Sequence, residues 1–345
     1  MSKITRGLIA LVAAVSLFCG AVVADAAVGG KASSPSIESA ISPSVTQPSA
    51  TVRKVALGVS MADSRSLSAV DAFTASVGGH VPALWSVWSS WGGTDAAFPK
   101  SFFDGLQARG SVPMVIWQPT NPANDADSSY SYSSIINGSH DAYIRAWAKA
   151  AKAWGHTVIL RFAHEMNGSW FPWGACRFNN SAPKFVTMWR HVWTIFHNVG
   201  ATNVKFFWNP NSQAVHECGT YAALYPGDKY VTYAGFSAFN WNRNGTWKSM
   251  VQTFSQAVNA LAKVTHKPLI VGETGTTNGR GRKAAWISTG YPAVYKAYPN
   301  ISAIVYFDLD MTSVAQPNWL LTDPPAALAA YRKIVAQPKF QGMVK

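Results

Sequence analysis

The chain has 345 residues, 48% of them hydrophobic and 13% charged, and 29 basic against 16 acidic side chains give a formal net charge of +13. That length suits one large barrel or two modest domains, and the hydrophobic share excludes disorder of the main body. The cations are spread singly along the chain rather than gathered into a stripe, which argues against a nucleic-acid partner and for a cationic exported protein poor in carboxylates.

In chain order, residues 1–26 read as a secretory signal peptide. Lys3 and Arg6 precede an apolar run from Leu8 to Val23, and Ala24-Asp25-Ala26 offers a small-residue cleavage site. The run is short and poorly flanked for a membrane span. Phe18 is too bulky for the lipidation signal that Cys19 would need, so the mature chain is expected to be secreted and extracellular, free of the membrane. Residues 27–51 form a Ser/Pro/Ala-rich segment that cannot bury enough apolar surface to pack and read as a flexible, disordered linker. The folded domain is expected over 52–345.

Within it, eight short apolar runs predict strands: Val55–Val59, Val81–Trp88, Pro113–Gln118, Thr157–Ala163, Val204–Asn209, Val231–Ala238, Leu269–Gly272 and Ala303–Phe307. Helical patterns separate them. The clearest is DAYIRAWAKAAKAWG, where Ile144, Trp147, Ala151 and Trp154 share one face, Asp141 can cap the start and Gly155 supplies the left-handed stop. Strands alternating with helices imply a parallel sheet covered on both sides. An open doubly wound sheet usually places a glycine-rich phosphate loop after its first strand, whereas Val59 is followed by SMADSRS. The predicted fold is therefore a single α/β (β/α)8 TIM barrel.

The stretch Arg161 to Gly174, RFAHEMNGSWFPWG, sets a His-Glu pair beside Trp170, Phe171 and Trp173. A metalloprotease helix would need HExxH, but the position four after His164 is Gly168, the preceding residues read as a strand, and Asn167-Gly168 is a turn signal. No metal site is expected. In a barrel, side chains at the C-terminal strand ends converge on one mouth. Glu165 leaves the fourth strand there, and Glu273, in PLIVGETGTT, leaves the seventh. Retaining glycosidases hold two carboxyls ~5–5.5 Å apart across such a mouth, one as acid/base and one as nucleophile. The chain also carries 15 tryptophans. Trp85, Trp88, Trp91, Trp117, Trp170, Trp173, Trp208, Trp241 and Trp319 flank predicted strand ends, where indole rings offer platforms for the C–H faces of sugars. Core packing is the plainer reading for any one of them. After leader removal Cys176 and Cys218 remain, and two cysteines in an exported chain usually form a disulfide. Both follow strands onto the active face, where the bond would brace the groove.

RFAHEMNGSWFPWG, VTMWRHVWTIFHNVGATNVKFFWNPN, YPGDKYV with AGFSAFNW, and KPLIVGETG resemble, in this order, glycoside hydrolase family 26, which includes secreted β-mannanases with some β-glucanases and xylanases. The resemblance implies Glu165 as acid/base and Glu273 as nucleophile. It implies substrate contacts for His164, which would line the −1 sugar site, and for Trp170 and Trp319, which would stack sugars. Asn209, Asn240 and Trp241 would be further groove residues by position, and no cofactor is implied. Where the family commonly has a tyrosine that hydrogen-bonds the nucleophile, this sequence has Phe239. Without that hydroxyl Glu273 loses a partner for its ionised form; Tyr233 or Tyr306 would be the candidates to substitute. For Glu165 to act as an acid, its pKa needs to be raised, by ionised Glu273 and the aromatic walls.

The other residues receive plainer readings. His191 and His197 lie within a helical pattern, packed or solvated, and His216 and Glu217 are read as residues able to form a loop ion pair. Asn167-Gly-Ser is a glycosylation sequon within the proposed site, where an attached sugar would block access, so Asn167 is expected to be unmodified. The sequence thus points to a monomeric endo-β-glycosidase acting on β-1,4-mannan. The alternatives are the same chemistry on β-glucan or xylan, or a barrel that binds polysaccharide without cutting it.

Overall fold

The apolar runs become eight parallel strands: β1 (Ala56–Ser60), β2 (Leu84–Ser90), β3 (Val112–Gln118), β4 (Val158–Phe162), β5 (Val204–Trp208), β6 (Tyr233–Asn240), β7 (Leu269–Thr276) and β8 (Ile301–Phe307). Each pairs with the next, and β8 returns to β1 with Ala56 opposite Ala303 and Ser60 opposite Phe307, which closes the expected barrel. This computed structural model describes residues 53–212, 218–242 and 245–344. The expected leader and linker, and the His216-Glu217 pair, lie outside the described residues.

The boundaries that moved did so for local reasons. β2 begins at Leu84 rather than Val81, because Pro82 has no N–H to give a ladder and Val81 is exposed. β7 runs past Gly272 to Thr276, so Glu273 lies inside the strand rather than at its end. Its small residues read as a loop, yet Ser237, Ala238, Phe239 and Asn240 of β6 pair with Glu273, Thr274, Gly275 and Thr276. Register shifts at Phe236/Ser237 and between Val271 and Thr274 mark an irregularity around the glutamate. Such bulges re-aim side chains and recur beside active sites.

Helices cover the outside: α1 (Leu67–Ser76), α2 (Lys100–Ala108), α3 (Tyr132–Ile136), α4 (Asp141–Trp154), α5 (Ala182–Val199), α6 (Tyr221–Leu224), α7 (Met250–Ala262), α8 (Lys283–Ala297) and α9 (Pro325–Val335). In α4 the predicted face is buried, with Ile144, Trp147, Ala148, Ala151 and Trp154 turned to the strands, and Gly155 ends the helix at φ +80°. Asp141 is not the cap. It is the first helical residue, and its carboxylate meets His191 of α5 at 2.7 Å and Arg145 at 3.8 Å. His197, one turn on from Trp193, stacks on that ring.

Side-chain parity decides what fills the barrel. Leu84, Met114, Ile159, Phe207, Ile270 and Val305 belong to one buried apolar cluster inside it. Arg161 follows Ile159 by two residues and so faces inward too, one layer nearer the C-terminal strand ends. The larger apolar cluster, with Trp85, Trp117, Phe162, Trp189 and Trp208, lies between strands and helices.

Candidate active site

Arg161 is fully buried near the end of β4, and its guanidinium organises the polar layer above the apolar one. Nη1 lies 3.0 Å from Glu273 Oε1, Nη2 donates to Glu273 Oε2 at 3.2 Å and to Ser237 Oγ at 2.6 Å, and Nε donates to Asn209 Oδ1 at 3.0 Å. Asn209 in turn donates to Ser237 Oγ at 3.1 Å and to the Pro210 carbonyl at 3.0 Å. Gly272 has to be glycine in this layer. A Cβ there would come within 1.9 Å of Asn209 Oδ1 and 3.1 Å of Arg161 Nε.

Glu165 arrives from the other side. Its backbone is in the left-handed region (φ +54°), as is that of Ala163 (φ +43°). For residues with a Cβ this costs of order 1–3 kcal/mol and persists only where the surroundings impose it. Here the Ala163 N–H is held by the Trp117 carbonyl and the Glu165 N–H by the Asn209 carbonyl, at 3.0 and 2.7 Å. The carboxyl is thereby aimed into the mouth. Trp170 Nε1 donates to Glu165 Oε2 at 2.9 Å, and Oε1 lies 4.0 Å from Arg161 Nη2. One guanidinium nitrogen thus stands 3.2 Å from one carboxyl and 4.0 Å from the other. The nearest oxygens of the pair can be no farther apart than those two distances laid end to end.

An indole N–H can only donate, so Glu165 Oε2 is an acceptor in either protonation state and a proton on this carboxyl belongs on Oε1. Burial pushes the Glu273 carboxyl up to about 7; Arg161 opposes the rise and the charge of Glu165 adds to it. Arg161 favours the ionised form both by its charge and by its hydrogen bond. His164 is buried, and burial, then the nearby Arg161 charge, hold its imidazole well below the usual range, so it is neutral. It sits among Trp88, Phe171 and Trp173, with ring centroids at 6.3, 4.8 and 5.5 Å, and its carbonyl accepts from Trp173 Nε1 at 2.7 Å.

The structure brings together Glu165, Glu273, His164, Trp170 and Asn209. Other predicted site residues are placed differently. Asn240 is buried and committed at both ends, donating to Thr276 Oγ1 and accepting from the Lys248 N–H. It ties β6 to its neighbours rather than lining a groove. Trp319 is only 2% exposed, packed against Phe239 and Trp241 with both centroids 4.9 Å away. It backs Trp241, which is half-buried, rather than offering a free face. Among the strand-end tryptophans, Trp85, Trp91, Trp117, Trp173 and Trp208 are buried, leaving Trp88, Trp170 and Trp241 partly open. Phe239 is half-buried against Phe307 as well as Trp319. Tyr306 does not replace the missing hydroxyl, since its OH donates to the Trp319 carbonyl at 2.9 Å, and Tyr233 belongs to the apolar layer at the start of β6. The partner that Glu273 does have is Arg161. Arg161 and Ser237 received no role from the sequence; the available signal was a lone cation in the apolar strand VILRF.

Cys176 and Cys218 form the disulfide, with Cα atoms 4.8 Å apart. Beside it the Asn167 side chain donates to the Asn211 carbonyl and accepts from the Asn211 N–H, at 2.8 and 2.7 Å. An amide buried and used in this way leaves no room for an attached sugar.

Two measurements follow from this geometry. Between about pH 4.5 and 7 the unfolded chain has released the Glu273 proton while the folded chain retains it, so this residue's contribution makes stability fall as pH rises through that window. Glu273→Gln should therefore gain stability relative to wild type by up to about 3 kcal/mol across it, then level off, as read by urea unfolding at a series of pH values. Thiol titration of the denatured chain from residue 27 onward should find no free thiol before reduction and two after. Loss of the bond, which closes a 42-residue separation, should lower stability by about 2–4 kcal/mol.

Comparison with known proteins identifies the family. Endoglucanase H of Acetivibrio thermocellus is 34% identical over 248 residues, which is 70% of this chain but 26% of that protein. A mannan endo-1,4-beta-mannosidase of Bacillus subtilis is 23% identical over 228 residues, 60% of this chain and 58% of the relative. The chain thus spans about a quarter of the length of the first relative and somewhat over half of the second. Among solved structures, a GH26 β-mannanase from Bacteroides ovatus shares the fold with a TM-score of 0.61 and 18% identity, over 84% of this chain and 91% of that one. Residues 107–304, more than half of the sequence, match glycosyl hydrolase family 26, and the chain belongs to that family.

Proposed function

We propose that this chain is an exported, retaining endo-β-glycosidase that hydrolyses β-1,4-mannan by double displacement. The observation that carries the reading is the pair of buried carboxyls, Glu165 and Glu273, flanking one guanidinium at the mouth of the barrel. Family membership and the relatives named as mannan endo-1,4-beta-mannosidases support the substrate class.

In the first step Glu273 attacks the anomeric carbon as the carboxylate, the form that Arg161 favours and that prevails above about pH 7. The glycosidic C–O bond breaks, and Glu165 delivers its Oε1 proton to the departing oxygen. In the second step Glu165, now a carboxylate, takes a proton from water, whose oxygen displaces Glu273 and returns both carboxyls to their starting states. Asn209 and Ser237 hold Arg161, Trp170 fixes the Glu165 rotamer, and neutral His164 presents a polar edge to the sugar. All these residues come from one chain, which we take to act as a monomer.

A second reading, the same chemistry on β-glucan, is favoured by one observation: the relative that is 34% identical over 70% of this chain bears the name endoglucanase. New reducing ends released from β-mannan, mixed-linkage glucan and xylan separate these possibilities. Release from mannan, abolished in Glu273→Ala, is the expected result. Release from glucan or xylan alone keeps the mechanism and changes the substrate, and a polymer that is bound but left intact replaces the enzyme with a binding barrel.

Phe239 supplies a second test. Tyrosine there should offer Glu273 a new hydrogen bond, worth about 1 kcal/mol, moving kcat roughly fivefold and shifting the acid limb of the pH profile downward. An unchanged rate and profile would show that Arg161 alone suffices.

A further inference from the structure

Lys283 is a buried cation at the unfavourable end of a helix. It is the first residue of α8 and 1% exposed. Helix N-termini disfavour positive charge, and lysine is almost never fully buried unless partnered. Its partners all come from one segment. Nζ donates to the carbonyls of Asp323 at 2.7 Å, Leu320 at 2.9 Å and Asn318 at 3.3 Å. An ammonium has three protons, and here all three end on the loop that follows β8.

The same loop is held at other points. Asp308, at the end of β8, accepts from the Leu321 N–H at 2.7 Å, and Asn318 donates to the Asp323 carboxylate at 2.7 Å. The Trp319 N–H reaches the Leu309 carbonyl, and the Trp319 carbonyl accepts from Tyr306, both at 2.9 Å. Between these anchors the Trp319 ring is pressed edge-on to Trp241, at 86° between planes, and against Phe239. Burial lowers the ammonium to about 8, while Asp323 and Asp308 oppose the fall.

We propose that Lys283 is a positioning residue: by fixing the loop over 308–323 it makes Trp319 hold Trp241 as the groove's sugar-facing platform, and so sets affinity for polysaccharide without touching it. This rests on the glycosidase reading, and the test keeps the two apart.

Lys283→Met, which keeps length but loses the donors, and Lys283→Arg are each made alone and with Trp241→Ala. Binding is read in a Glu273→Ala background by retardation in gels containing β-mannan or mixed-linkage glucan, and kinetics are read with Glu273 restored. Lys283→Met should raise KM and weaken retardation about tenfold with kcat within about threefold, and Lys283→Arg should recover most of the loss. In the Trp241→Ala background Lys283→Met should add almost nothing, because the platform is already gone. Unchanged KM and retardation overturn the proposal, as do additive losses, or a fall in kcat that tracks a lower Tm with KM unmoved. If Lys283→Met does not fold, Asn318→Ala, which frees the Asp323 carboxylate, must show the same KM effect, and its failure to do so also overturns the proposal. A wild type that is retarded but cleaves nothing would remove the glycosidase reading while leaving this one to be decided by retardation.

Discussion

A guanidinium shut inside the barrel between two carboxyls constrains almost every residue around it. Removing an ion from water carries a penalty of several kcal/mol even after relaxation, and it is offset only where the geometry is good and the remaining protons are satisfied. Arg161 meets most of that condition through hydrogen bonds to Glu273, Ser237 and Asn209, while Nη1 faces Glu273 Oε1 as an ion pair without a hydrogen bond. The requirement then propagates. Gly272 must lack a side chain to leave room for Asn209, β7 must shift register to turn Glu273 inward, and the end of β4 must adopt left-handed backbone to bring Glu165 to the same place. The two carboxyls and the buried charge between them are thus held by one shared set of constraints.

Much of this was legible in the sequence, and the parts that were not share a cause. The strands announced themselves through apolar β-type runs, the helix of residues 141–154 through its period, and the two glutamates through their position where apolar strands give out. Arg161 was visible but unread, since a single cation in VILRF has no meaning until the parity of the strand is known. The bulge around Glu273 was hidden because GETGT is composed like a loop, and only pairing with β6 makes it a strand. Asn240 and Trp319 were assigned by position along the chain, whereas what they do depends on neighbours from other elements.

The tryptophans illustrate the parity problem. In β2, Trp85 and Trp88 are three residues apart and so face opposite ways. Trp85 is buried under the helices with its Nε1 on the Ser64 carbonyl, while Trp88 meets His164 inside the mouth. Both sit near a strand end and both are indoles. The layer between strands and helices needs large rings to fill it as much as a groove needs them to stack sugars, and composition cannot separate the two demands. The resulting mouth has few open indoles: Trp241 rests on buried Trp319, Trp170 meets Phe171 and Trp88 meets His164.

The links between the fourth and fifth connections have a mechanical consequence. The Cys176–Cys218 bond, the paired amide contacts of Asn167 with Asn211, and the Cys218 N–H on the Asn167 carbonyl lace those two segments together beside Glu165. Across the mouth, the wall after β6 and β8 is held by ring contacts and by one ammonium on three carbonyls. The two banks therefore differ in stiffness. On the proposed reading, a polysaccharide would meet one shore braced covalently beside Glu165 and an opposite shore held by ring contacts and hydrogen bonds without a covalent link.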